Sequence, residues 1–156
     1  MIGPRKQHEG FTIIELMVVL AIISILATIA LSAYSNFMKR SKVAEGLAFA
    51  SEAKTAVASY YSGNNRFPLD NNQAGLAPAD EYDKYNHISK LEVNEDNASN
   101  DPSTGIITIY IKIPGLGANN KLELVPNTQD GQLTWECKPA ITGGIDTVLV
   151  PATCRG

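Results

Sequence analysis

A chain of 156 residues, 44% of them hydrophobic, with a net charge of −3 and two cysteines, suits one folded domain plus an extension. The charge is uneven: residues 64–156 carry 7 basic and 12 acidic side chains, a net of −5, whereas 1–10 and 11–63 are each +1. An acidic C-terminal part is a poor electrostatic nucleic-acid surface, because that binding is dominated by Lys and Arg neutralising phosphates.

Met1 to Gly10 is polar, with Arg5, Lys6, His8 and Glu9, and ends on a small residue. From Phe11 to Leu31 the chain is apolar for 21 residues with one charge, Glu15, near the start. About 20 apolar residues cross a bilayer as a helix, and a carboxylate inside such a span costs at least about 2.5 kcal/mol without a partner. A cut after Gly10 would create that partner, since the new amine of Phe11 would lie four residues before Glu15. A secretory signal places its small-residue cleavage site after the apolar stretch. Here the small residue comes before it, so processing would leave the helix in the mature chain.

The basic leader, Gly10-Phe11, Glu15 and the long apolar helix together resemble the type IV prepilins and their pseudopilin relatives. The resemblance implies that Gly10 precedes a bond cut by a membrane-embedded prepilin peptidase. It implies that Phe11 becomes an N-methylated terminus, and that Glu15 pairs with the Phe11 amine of a neighbouring subunit during assembly. Many members of that family carry Gly and Pro where this chain has Ser24 and Ser32, so helix loosening there is not carried over. Ser24, Thr28 and Ser32 form a small-residue stripe that lets membrane helices approach closely.

From Phe11 to about Ser62 there is no proline, and Gly46 is the one glycine. A helix of that length would extend about 78 Å at 1.5 Å per residue. Val43, Leu47, Ala50, Ala53, Val57 and Tyr60 recur at spacings of three and four, which predicts an apolar stripe under a domain. Lys39, Arg40, Glu45, Glu52 and Lys54 fall on other faces, with Gly63 and the asparagines after it as the stop. Lys39, Arg40 and Lys42 suit lipid headgroups before assembly or acidic heads in a filament. The helical aromatics, Tyr34, Phe37, Phe49, Tyr60 and Tyr61 among them, are read as packing area rather than an electron-carrying stack.

Residues 64–87 read as a long surface connection. Strands are expected over Ile88–Val93, Ile106–Ile113, Lys121–Val125 and Gln132–Cys137, with turns at Pro114-Gly115, Pro126-Asn127 and Asp130-Gly131. Alternation puts Ile107, Ile109, Ile111 and Ile113 on one face and Thr108, Tyr110 and Lys112 on the other. Four consecutive strands favour an antiparallel sheet with one face over the helix. Cys137 and Cys154, an even pair, suggest a disulfide in an exported domain and two thiols in a reducing compartment. Closure of the 16 intervening residues would stabilise the fold by about 3 kcal/mol.

The order of elements resembles the type IV pilin fold along the whole chain. The expected class is α+β: a long N-terminal helix on a four-stranded antiparallel sheet, with a C-terminal loop closed by the Cys137–Cys154 disulfide. The expected domains are 1–10, a cleaved leader; 11–63, the helix, of which 11–34 is the membrane-spanning and filament-core part; and 64–156, the head.

No catalytic, cofactor-binding or metal residues are expected. After leader removal His87 would be the one histidine left for a triad, and it reads as a polar residue entering a strand. No G-x-S-x-G, Walker A or H-E-x-x-H pattern is present. The run from Glu95 to Asp101 is rich in oxygen ligands but lacks EF-hand spacing and reads as a hairpin loop. Its Asn97-Ala98-Ser99 sequon is left unassigned.

The expected function is a structural subunit, polymerising with copies of itself for adhesion, twitching motility or DNA uptake. Its partners would be prepilin peptidase, the assembly machinery of the inner membrane, and lipid before assembly. The precursor would sit in the bacterial inner membrane with its head in the periplasm, and the assembled pilus would be extracellular. The alternatives are a type II secretion pseudopilin and a low-copy minor pilin acting as a binding module.

Overall fold

The computed structural model describes residues 10–94, 104–118, 120–129 and 132–155. The acidic run 95–101 with its sequon and the Asp130-Gly131 pair lie outside the described residues. The chain divides into two compact units, Met1–Phe37 and Met38–Gly156, and each is taken by itself.

Helix α1 covers Ile13–Asn64. It is unbroken at Ser24 and Ser32, whose hydroxyls donate to the carbonyls of Leu20 (2.8 Å) and Ile29 (2.9 Å). Thr28 likewise donates to Ser24 O at 3.0 Å, so the stripe of small polar residues is internally satisfied. In the first unit every residue from Gly10 to Phe37 is exposed. The apolar stretch is long enough and apolar enough to cross a membrane.

In the second unit the buried positions of α1 are Val43, Gly46, Ala50, Ala53 and Val57, so the expected stripe is the core-facing one. These are small residues, and the reason is proximity. A Cβ on Gly46 would stand 3.0 Å from Cδ1 of Ile111, so the glycine lets the α1 backbone reach the sheet.

The sheet is a meander of antiparallel neighbours in the order β1-β2-β3-β4: Ile88–Val93, Ile107–Ile111, Lys121–Gln129 and Gln132–Pro139. Ile88, Leu91, Ile107, Ile109, Ile111, Leu122 and Leu124 are buried in the core with the helix stripe. The long antiparallel β3–β4 pairing runs from Leu122↔Pro139 to Gln129↔Gln132.

Two expectations are corrected. Pro126-Asn127 is not a turn, because β3 continues through both to Gln129 and Pro126 pairs with Trp135. β2 pairs β3 only as far as Leu124, so the edge beyond is open and tolerates a residue without an N–H. Residues 64–87 are more than a surface connection. They contain helix α2, Asn71–Ala74, and a 3₁₀ turn, Ala79–Lys84, which bury Ala74 and Tyr82 in the core. Asn71 is pinned there: its amide donates to Ala77 O (2.9 Å) and Leu91 O (2.8 Å) and accepts from Val93 N (2.8 Å). Buried polar groups of this kind are retained when all their bonds are made.

The outer face of the sheet holds a polar row. Glu92, Thr108, Glu123 and Lys138 stand opposite one another across the four strands. Thr108 is buried there although alternation places it away from the isoleucines. Glu92 pairs with Lys90 and accepts from the Tyr110 hydroxyl at 3.1 Å. The Tyr110 ring lies 5.6 Å from the Lys90 ammonium and 5.0 Å from that of Lys121. Burial pushes the Glu123 carboxyl above its ordinary value, against the opposing pull of Lys138 and Lys121.

Replacing Gly46 by valine forces overpacking against Ile111, which typically costs about 1–3 kcal/mol. The expected result is a lower unfolding midpoint followed by fluorescence of Trp135, the single tryptophan; an unchanged midpoint would refute the close approach. A pH series tests Glu123. The folded chain binds its proton more tightly, so stability falls as pH rises from 4.5 through the raised value. Glu123→Gln should remove that part of the decline, and an identical pH profile in both proteins would contradict it.

Candidate assembly site at the amino terminus

Thr12 and Glu15 form a reciprocal cap at the start of α1. Thr12 Oγ1 accepts from Glu15 N at 3.3 Å, while Glu15 Oε2 accepts from Thr12 N (3.4 Å) and from the Thr12 hydroxyl (3.3 Å). This is a capping box, which satisfies two backbone donors that a helix start leaves open. The T-x-x-E spacing carries the signal in sequence, but reading Glu15 through its membrane cost alone passes over Thr12. The positive end of the helix dipole also favours a carboxylate at this position. Glu15 thus has an intrachain reason to exist, and only one of its two oxygens is used by it.

The other residues singled out from sequence separate into structural parts. Gly10 and Phe11 are exposed, three and two residues before α1 begins. His87 does more than enter a strand, because its Nε2 lies 2.7 Å from Glu45 Oε2 and ties the start of β1 to α1. Its Nδ1 is buried without a hydrogen-bond partner among the described residues. The arrangement suits the tautomer with the proton on Nε2, since a buried N–H left unpaired costs more than an idle lone pair. Arg40 Nε donates to Val148 O at 2.9 Å and holds the C-terminal segment to the helix. Among the described residues no group of three or more His, Cys, Asp or Glu is placed to hold a metal ion.

Cys137 and Cys154 form a disulfide that joins β4 to the 3₁₀ turn Ala152–Cys154, with Cα atoms 4.5 Å apart. The loop it closes is packed rather than loose. Ile145, Leu149 and Val150 are buried in the core, and Ile145 N donates to Lys121 O at 3.1 Å.

Comparison with known proteins separates the same two regions. The pilin family of bacterial filaments matches residues 39–155, and the prokaryotic N-terminal methylation motif matches residues 5–31. The chain belongs to the pilin family. It is similar to the fimbrial protein EcpC of Eikenella corrodens, with 38% identity over 97% of this chain and 93% of that one. It is similar to the type IV major pilin protein PilE of Neisseria gonorrhoeae, at 32% over 95% and 94%. It is also 37% identical to the type IV major fimbrial protein FimA of Dichelobacter nodosus over 62% of this chain and 61% of that one.

A structural rather than enzymatic subunit is what pilin membership implies, together with polymerisation and N-terminal processing by a peptidase. The methylation motif and the exposed apolar helix fit a membrane-anchored precursor that is assembled into an extracellular pilus. In this pilin, Cys137→Ser should lower stability by about 2–5 kcal/mol, as loss of a native disulfide does, and with it the unfolding midpoint reported by Trp135. Reductant should do the same to the unsubstituted chain and nothing further to the variant. Equal midpoints throughout would show that the bridge carries no stability.

Proposed function

We propose that this pilin is cut after Gly10 by a prepilin peptidase, methylated on Phe11, and polymerised through α1 into a type IV pilus. The observation that carries the reading is the placement of Glu15, the one charge in an exposed apolar stretch, beside the proposed new terminus. Cutting there puts a cationic amine at the positive end of the helix dipole, where it is disfavoured. A carboxylate nearby offsets that, and Glu15 retains an oxygen beyond the one its cap uses. In a bundle of parallel helices the amine of one copy and the carboxylate of the next neutralise each other, whereas an unpaired carboxylate in hydrocarbon costs several kcal/mol. The pairing therefore sets axial register as well as stability.

In this reading residues 11–34 lie in the inner membrane before assembly and in the filament core afterwards, and residues 64–156 form the head on the periplasmic side. Gly10 and Phe11 are the cleavage residues, and Phe11 and Glu15 the assembly pair. The named similarity to major pilins favours an abundant filament subunit over a pseudopilin or low-copy tip protein. Adhesion, twitching motility and DNA uptake are the uses that such a filament serves.

Two substitutions separate register from capping. Thr12→Ala removes the cap at a cost of about 0.5–2 kcal/mol but leaves the carboxylate, so filaments should still be sheared from the cells. Glu15→Ala should leave the protein in the membrane at normal level and abolish sheared filaments. Abundant filaments from Glu15→Ala, or equal loss in both variants, would show that capping is all Glu15 does.

A further inference from the structure

We propose that the second units of neighbouring copies hold one another through a basic belt, Lys39, Arg40 and Lys42, set against an acidic band, Glu52, Asp80 and Glu81. The inference rests on the filament reading above and extends it from the apolar stretch to the second unit. An open filament needs a heterologous interface, two different complementary patches on the same chain. The second unit carries such a pair.

The basic belt occupies the first turns of α1 in the second unit, and none of its three cations forms an ion pair among the described residues. Arg40 bonds a carbonyl, that of Val148, so its charge is not cancelled. The acidic band is built from two elements. Glu52 is exposed on α1, and Asp80 and Glu81 are exposed on the 3₁₀ turn Ala79–Lys84. Glu52 and Glu81 both act on Tyr82, whose hydroxyl is pushed above its ordinary value first by burial and then by the charge of Glu52, with Tyr85 and Glu81 adding to it, and Asp80 adjoins Glu81 on the same turn. Glu81 has Lys84 at 3.7 Å and Asp83 has Lys112 at 2.8 Å, so Glu52 and Asp80 are the members with no ion pair among the described residues.

Lys42 and Glu52 are ten residues apart on one helix, which is about 15 Å along its axis. A parallel copy advanced by a distance of that order brings its belt level with its neighbour's band; the Phe11–Glu15 pair, an advance of four residues or about 6 Å, is made with a different neighbour in the helical array. Single exposed ion pairs contribute little. A filament repeats the contact at every subunit, and complementary charge chiefly selects register and partner.

The test uses two reversed forms of the full chain in cells. One carries Lys39→Glu and Lys42→Glu, so both patches are acidic. The other carries Glu52→Lys and Asp80→Lys, so both are basic. Each alone should yield no sheared filaments, while the two expressed together should restore filaments containing both forms. The Trp135 unfolding midpoint of each purified form establishes that the heads are folded. Should either head unfold, the milder Lys39→Gln, Lys42→Gln chain should make filaments that come apart at lower salt than unsubstituted ones.

Normal filaments from either reversed form alone would overturn the inference. So would folded forms that fail together, or loss of the acidic form from the membrane, which would assign the belt to anionic lipid headgroups. Filaments absent from cells making the unsubstituted chain would instead refute the filament reading itself.

Discussion

The run from Phe11 to Leu31 exposes a continuous apolar surface, and the rest of the molecule can be read as a response to that constraint. At roughly 25 cal/mol for each Å² kept from water, a stretch of this size must be covered by lipid or by other helices. Covering it with the chain's own head would leave nothing for polymerisation. The second unit instead builds its core with a different part of α1, where the helix presents glycine, alanine and valine to the sheet. The two uses of one helix are kept apart in sequence: large aliphatics first, small residues later.

Glu15 serves one level of structure within the chain and, in the proposed filament, a second. Locally it closes the capping box with Thr12, which any soluble helix might do. At the level of assembly it is the single charge in a surface that otherwise discriminates nothing, since aliphatic side chains slide past one another without preferred register. A helix bundle joined only by such side chains would be adhesive but unspecific. In the proposed filament one buried charge pair per copy would supply specificity, as single polar residues do in coiled-coil seams.

The disulfide and the loop it closes address the opposite end of the fold. β4 is an edge strand, and the segment after it would be poorly held without a tie. Cys154 fastens it to β4, Lys121 receives its backbone, and Arg40 reaches across from α1 to Val148. Helix α1 and strands β3 and β4 thus meet at the C-terminal segment.

Much of this was legible in the sequence, because periodicity reports directly on burial. The spacing of Val43, Ala50, Ala53 and Val57 predicts their side of α1, and the alternation of isoleucines from 107 to 113 predicts theirs. What escaped depends on partners distant in the chain. Pro126 reads as a turn unless it is known that β2 has already ended. Gly46 reads as a weak spot in a helix until Ile111 is placed beside it. Asn71 and His87 look like surface polar residues, and their roles rest on Leu91, Val93 and Glu45. At the assembly site Glu15 stood out by its cost, while Thr12 was visible only to a reader asking how the helix starts.

The most direct measurement is the intact mass and N-terminal sequence of the chain in filaments sheared from whole cells. The account predicts a chain that begins at Phe11, carries one added methyl group, and lacks two hydrogens for the Cys137–Cys154 bridge. A chain in those filaments that still begins at Met1 would contradict it, because Glu15 would then have no new amine to meet.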